Sequence, residues 1–425
     1  MFNNYAMYNY EIIESAGQVA SGELELSLSD LDFLLRRTVD LSLKEKLEGE
    51  LVFGVFGKLL EAVDCDDDDE VEYVFDAVVR VLNSKTDDSL MALDILAESN
   101  ISFTEKRYYG GERTVLRDWL LERAFGAGLL ERMSKLGVDL NGALIDGKTP
   151  AYILADREFT KKSALADSDI EEELAKAVSL FSVSSMEELT AAGTSAAHLA
   201  VKNGHYKMLE AMIKAGINMN LTEDSPCIAG TTLLHTACSY GSIESLNLLI
   251  EAGADDTLLD ENEETPAHKV ACCNYISNSK ALTIEKRIGL LRALKNADCG
   301  GKDGRTPLMA ALDCGDYAIR NQLAPVFIEK GADVNRADNS GYTPLMLGPD
   351  IGVIKELVKA GADVNARNKY GDSPLHFALE RGDSQTAAYL IKKGADFGVA
   401  DDNGVTPMQL AVEKGLEELL PLMGL

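Results

Sequence analysis

The chain has 425 residues, is 46% hydrophobic and 26% charged, and carries a formal net charge of −29. This composition is globular rather than disordered; it disfavours nucleic acid or an anionic membrane surface as a ligand and favours a basic protein partner. Seven scattered cysteines without a C-x-x-C pair, and an N-terminus without a basic start or apolar core, point to a soluble cytoplasmic protein with free thiols and no membrane span.

Residues 1–110 carry a net charge of −15, about half of the excess, and contain no His. Helical periodicity runs through LSDLDFLLRRTVDL, KLEGELVFGVFGKLLEAV and EYVFDAVVRVLNS. The acidic run Asp64–Glu72 invites a calcium loop, which needs Gly at its sixth position and Glu at its twelfth. Counted from Asp64 those positions hold Asp69 and Phe75, and counted from Asp66 they hold Val71 and Ala77, so both frames fail. A solvated acidic loop before a helix is the expected form, its charges favourable near the helix N-terminus.

Further on, Gly142, Gly147, Lys148 and Thr149 satisfy G-x-x-x-x-G-K-[ST], the pattern of a nucleotide-binding phosphate loop. Such a loop should follow a buried strand and open a helix. Upstream, however, LLERMSKLGVDLN reads as an amphipathic helix ending in a turn. The rest of the chain gives a second account of the match. GADVNRADNSGYTPLM begins at Gly331, GADVNARNKYGDSPLH at Gly361 and GADFGVADDNGVTPMQ at Gly394, with looser copies earlier. Taking the Thr slot as an anchor, anchors fall at 114, 149, 195, 232, 265, 306, 343, 373 and 406. Asp146–Pro150 is thus one turn of a repeat, in register with the others.

Each part of the repeat has a local cause. Thr or Ser caps a helix, and Pro after it suits the first helical turn, where its missing N–H costs nothing. Nine residues past the anchor stands Gly in five copies (204, 241, 315, 382, 415) and Asn274 in a sixth, the residue types that end helices left-handed. A second apolar helix follows and stops at Gly or, at 296, Asn. No such helix pair buries its apolar face alone, so neighbours must stack.

The unit resembles the ankyrin repeat, a β-turn and two helices of about 33 residues with a T-P-L-H-x-A signature. The resemblance covers roughly residues 110 to 425. It implies an all-α solenoid of about nine to eleven units with hairpin fingertips, in which 111–425 is the repeat domain and 1–110 an acidic helical region of degenerate repeats and a cap. It implies a structural role for the signature histidines, His198, His235, His268 and His376, three residues past their anchors, and for His205 beside Gly204. No imidazole is then left for a general base. His268 with Cys272 and Cys273 has the residue types of a metal site but not the convergent spacing. Catalytic residues, cofactors and metals are therefore not expected.

By the same resemblance, the seventh and eighth residues past an anchor face the concave groove: Lys202–Asn203, Ser239–Tyr240, Cys272–Cys273, Asp313–Cys314, Glu380–Arg381 and Glu413–Lys414. Turn and groove positions together nominate Tyr240, Glu263, Glu264, Cys272, Cys273, Arg305, Tyr342, Lys369, Tyr370, Glu380 and Arg381 as partner-binding residues. Modules 149 and 265 carry insertions, after residues 156 and 273, expected in loops, and Gly348-Pro349 should break the first helix of module 343. The resulting expectation is a non-catalytic adaptor or scaffold, monomeric alone. An inhibitor or immunity-type protein masking a basic toxin or nucleic-acid enzyme, a host-targeting effector, and an ATP-dependent enzyme at Gly142–Thr149 are the alternatives.

Overall fold

A computed structural model describes residue 18 and residues 106–109, 112–115, 127–135, 137–142, 147–156, 167–225, 228–271, 282–348 and 350–424. The periodic segments of the acidic N-terminal region, its acidic run, Asn274 and the Cys272–Cys273 pair lie outside the described residues. The chain divides into two compact units, Met1–Ile217 and Asn218–Leu425.

In the first unit, β1 (Lys106–Tyr109) pairs antiparallel with β2 (Glu112–Val115), Lys106 opposite Val115 and Tyr109 opposite Glu112. The hairpin spans the boundary at 110/111, and Thr114 is a strand residue in it rather than a helix cap. Next come α1 (Ala127–Lys135), α2 (Pro150–Asp156), α3 (Asp167–Val178), α4 (Val183–Glu187), α5 (Ala196–Asn203) and α6 (Tyr206–Ala215). They form two layers: α2 packs on α5, while α3 packs on both α1 and α6. The insertion of module 149 does not stay in a loop, because Asp167–Glu173 begin α3.

The second unit repeats this arrangement. Its inner helices are α7 (Leu233–Tyr240), α9 (Pro266–Ala271), α11 (Pro307–Asp313), α13 (Pro344–Leu347), α15 (Pro374–Glu380) and α17 (Pro407–Glu413). Each alternates with an outer helix: α8 (Ile243–Glu251), α10 (Ile284–Ala293), α12 (Tyr317–Glu329), α14 (Ile351–Lys359), α16 (Ser384–Lys392) and a final 3-10 turn, Glu417–Met423. Inner helices stack on inner and outer on outer. The core between the layers is drawn from both, with Leu234, Leu249, Leu308, Leu323, Leu357, Leu375 and Leu390 all buried. Ile284, Glu285 and Lys286, read as inserted loop, form the first turn of α10, capped by Thr283.

Two capping expectations need correction. Gly204, Gly241, Gly382 and Gly415 are left-handed, but Gly315 is not; α11 ends through Cys314 in extended backbone. Asn296 does not end a helix left-handed either. Leu294 leaves α10 extended, and the Asn296 amide instead donates to buried Asp256 at 2.6 Å. The helix break at Gly348 is present: α13 has only four residues, and the hydroxyl of its anchor Thr343 makes no capping bond.

Candidate protein-binding surface

Four of the turns before the inner helices of the second unit share one construction, and it starts from a single side chain. Asp260, Asp338, Asn368 and Asp401 each stand five residues before an anchor. The Oδ1 of each accepts two backbone N–H groups at 2.7–3.0 Å, from residues two and four further on. Two residues before the anchor the chain turns left-handed, at Gly230, Gly304, Gly341, Gly371 and Gly404 and at one non-glycine, Glu263, with φ 56°.

Neighbouring turns are then hydrogen-bonded in series. Glu261 N donates to Ala229 O, Lys302 N to Glu263 O, Asn339 N to Asp303 O, Lys369 N to Ser340 O and Asp402 N to Tyr370 O, at 2.7–3.2 Å. A second rail runs through asparagines. Asn365 Oδ1 accepts from Asp396 N at 2.8 Å while its Nδ2 donates to Gly394 O at 3.1 Å, and Asn335 does the same to Asp363 and Gly361.

The histidines tie helix to turn. In module 232, His235 Nε2–H donates to Glu264 O at 2.8 Å, so its Nδ1 is the acceptor for Thr232 Oγ1–H at 2.8 Å and Thr232 N–H at 3.2 Å. His268 spans Thr265 and Arg305 O in the same way, and His376 spans Ser373 and Val405 O. Burial pushes the His235 imidazole down to about 4, and burial lowers His268 too. Both rings are therefore neutral joints, held as the tautomer that the two bonds require. The last module has Gln409 in the histidine slot, where its Oε1 accepts from Thr406 N at 2.8 Å. His205 differs from the rest: its Nδ1 meets Glu171 of α3 at 2.8 Å.

Comparison with known families finds ankyrin repeats, matched in three copies over residues 165–260, 197–290 and 347–423. These segments are ankyrin repeats. The chain is similar to Ankyrin repeat domain-containing protein 63 of Mus musculus, 34% identical over 96 residues, covering 22% of this chain and 25% of that protein. It is also similar to Alpha-latrotoxin-Lg1a of Latrodectus geometricus, 35% identical over 83 residues, or 19% of this chain and 6% of the toxin. Neurogenic locus notch homolog protein 1 of Xenopus tropicalis is 33% identical over 104 residues, 24% of this chain and 4% of that protein. The matched segments thus span a quarter or less of each relative. Ankyrin repeats are generally protein-interaction modules.

The ankyrin frame explains the phosphate-loop match. Gly147 is left-handed at φ 80°, two residues before its anchor like the other fingertip glycines. Thr149 is buried; its Oγ1 donates to Ser185 O at 2.8 Å and accepts from Tyr152 N at 3.2 Å. A hydroxyl used this way is not free to meet a metal-bound phosphate. Among the described residues, no three His, Cys, Asp or Glu are placed to hold a metal ion, and no helix is long and apolar enough to cross a membrane.

The nominated residues occupy three settings. Tyr370 and Lys369 are exposed at one fingertip and Glu263 at another, and Glu380 is exposed at the end of α15. Tyr342 is half-buried, its ring 5.5 Å from Phe377, and Tyr240 is half-buried at the end of α7. Glu264, Arg305 and Arg381 are engaged within the fold. Lys269 Nζ lies 2.5 Å from Glu264 and 2.6 Å from the buried Asp260 carboxylate, and Arg305 pairs with Asp313 at 3.0 Å. Arg381 reaches back to the broken helix, donating to Met346 O and Gly348 O, each at 3.2 Å, and supplying donors for carbonyls that a longer α13 would satisfy itself. Cys272 and Cys273 fall outside the described residues.

Among the exposed large apolar side chains of the described residues outside the nominated set, Ile228, 36% exposed, and Leu259, 46% exposed, stand on neighbouring fingertips. An alignment of the fingertips reveals them. Four residues before the anchor Ile228 stands where the later fingertips have Glu261, Lys302, Asn339, Lys369 and Asp402. Six residues before it, Leu259 stands where they have Gly300, Ala337, Arg367 and Ala400.

Proposed function

We propose that this chain is a non-catalytic adaptor that holds a partner protein against the fingertips and inner-helix face of its second unit. One observation carries the reading. Tyr370 is 56% exposed on a fingertip whose backbone is fixed by Asn368 Oδ1 and stapled to the turns on both sides. A large side chain held in water on a rigid platform loses little entropy on binding, which is the property of an interface anchor. Lys369 beside it and the half-buried Tyr342 of the preceding turn extend that surface.

The test is affinity capture on the full chain, with elution by a salt gradient and identification by mass spectrometry. The captured protein should stay bound past about 0.5 M salt, where charge is screened within a few Å. Its affinity should fall about tenfold or more for Tyr370→Ala. A captured protein indifferent to Tyr370→Ala, or none at all, overturns the reading. The net charge of −29 favours a second reading, an inhibitor that masks a basic protein. Its signature would be a basic protein that elutes at moderate salt and whose own activity is suppressed by this chain.

A further inference from the structure

Four residues before the anchor the later fingertips of the second unit carry polar residues where module 232 has Ile228, and six residues before it they carry Gly, Ala or Arg where module 265 has Leu259. Ile228 and Leu259 flank the staple between these two turns: Ile228 precedes Ala229, whose carbonyl accepts the Glu261 N–H at 3.2 Å, and Leu259 lies two residues before Glu261. The turns are close-packed as well as bonded, since a Cβ on Gly230 would lie 2.9 Å from Glu261 N. Packing does not require Leu259, because sibling fingertips form the same turn with Gly300, Ala337, Arg367 or Ala400 in its place; the turn that carries Ile228 is longer, closed by Glu223 N–H to Thr231 O at 2.9 Å, and leaves Ile228 36% exposed.

The charge around the pair is one-sided. Of the acids in the turn DENEE, Asp260 and Glu264 share Lys269, while Glu261 and Glu263 are exposed and make no ion pair among the described residues. Asp224 is also exposed on the preceding turn. The nearest cation in the ladder is Lys302, whose backbone N–H bonds Glu263 O and whose side chain is exposed.

We propose that Ile228 and Leu259, rimmed by Asp224, Glu261 and Glu263, form a docking surface for a basic segment of a partner protein that carries an aliphatic or aromatic anchor between lysines or arginines. The apolar pair receives the anchor, and the carboxylates, without an ion pair among the described residues, receive the flanking cations. Apolar contact supplies affinity and the charges select the partner and its orientation. The proposal deepens the adaptor reading and rests on it.

The experiment places a photo-reactive phenylalanine analogue in the full chain at Leu259, at Ile228 or, as the comparison, at Tyr370. Each variant is irradiated in a lysate of the cells that make the protein, and cross-linked peptides are sequenced. Circular dichroism of each variant checks that the repeats are folded. The expected result is cross-linking at 259 and 228 to one Lys/Arg-rich segment containing an apolar residue. Yield should fall about tenfold when Glu261→Gln and Glu263→Gln are combined, as loss of complementary charge predicts. Cross-links at 370 alone would overturn this surface while leaving the adaptor reading intact. Cross-links at 259 to segments that are not basic, or a yield unchanged by the glutamine pair, would also overturn it. Cross-links at none of the three positions would overturn both.

Discussion

Glu263 holds the left-handed fingertip position at φ 56°, where five sibling turns of its unit have glycine. A side chain in that region costs about 1–2 kcal/mol, because its Cβ crowds the following carbonyl. Replacing Glu263 with Gly removes that cost but gives the unfolded chain more freedom, worth about 0.5–1 kcal/mol. The net expectation is a stabilisation of roughly 0.5–1 kcal/mol. In a unit of roughly 200 residues that is a rise in Tm of about 1–3 °C. The reverse change, Gly341→Ala, should destabilise by more than about 2 kcal/mol. Gly341 has φ 85°, and an added Cβ would lie 2.8 Å from Asn368 Cα and 3.0 Å from Lys369 N, atoms pinned by the ladder. Scanning calorimetry of the full chain with urea titration reads both. A less stable Glu263→Gly protein would refute the reasoning, because it would mean that the Glu263 side chain supports the fold more than its backbone strains it.

The remaining perturbations probe the joints. His235 titrates near 4 when folded against 6.5 when free, so folding excludes its proton. That part of the stability is intact above about pH 6.5 and falls as the pH drops toward 4, by roughly 3 kcal/mol in all. Urea midpoints at pH 7 and pH 4.5 should therefore differ, and Thr232→Val, which removes the hydroxyl bonded to His235 Nδ1, should lower the pH 7 value. Asn365→Ala removes the bonds to Asp396 N and Gly394 O and should cost about 1–2 kcal/mol by urea denaturation. Arg381→Met strands Met346 O and Gly348 O; hydrogen exchange should show faster opening around α13 and α14, with α7 and α8 unchanged.

The repeat was legible because its signals are local. Thr306-Pro307 and Thr406-Pro407 each supply a cap and a first helical turn without reference to anything distant, and both caps are present. Gly348-Pro349 announced the break in α13 for the same reason. The misread positions depend on partners outside their own module. Asn296 could end a helix left-handed, but Asp256 of the preceding module claims its amide. Gly315 could do the same, but α11 is already extended at Cys314. Arg381 looked like a free groove residue, and its role follows only from carbonyls that Gly348 leaves open in the module before. Ile228 and Leu259 were missed for a different reason: aromatics and arginines mark interfaces by residue type, whereas an aliphatic side chain stands out only against its repeat siblings.

The interrupted module also has a mechanical consequence. Where α13 shrinks to four residues, the inner row of the second unit continues from α11 to α15 through a single helical turn and one guanidinium, while α14 keeps the outer row continuous. A stack coupled only between neighbours yields at its weakest junction. Stretched from its ends, this unit would part first at module 343, dividing into two shorter springs, with Arg381 acting as the latch between them.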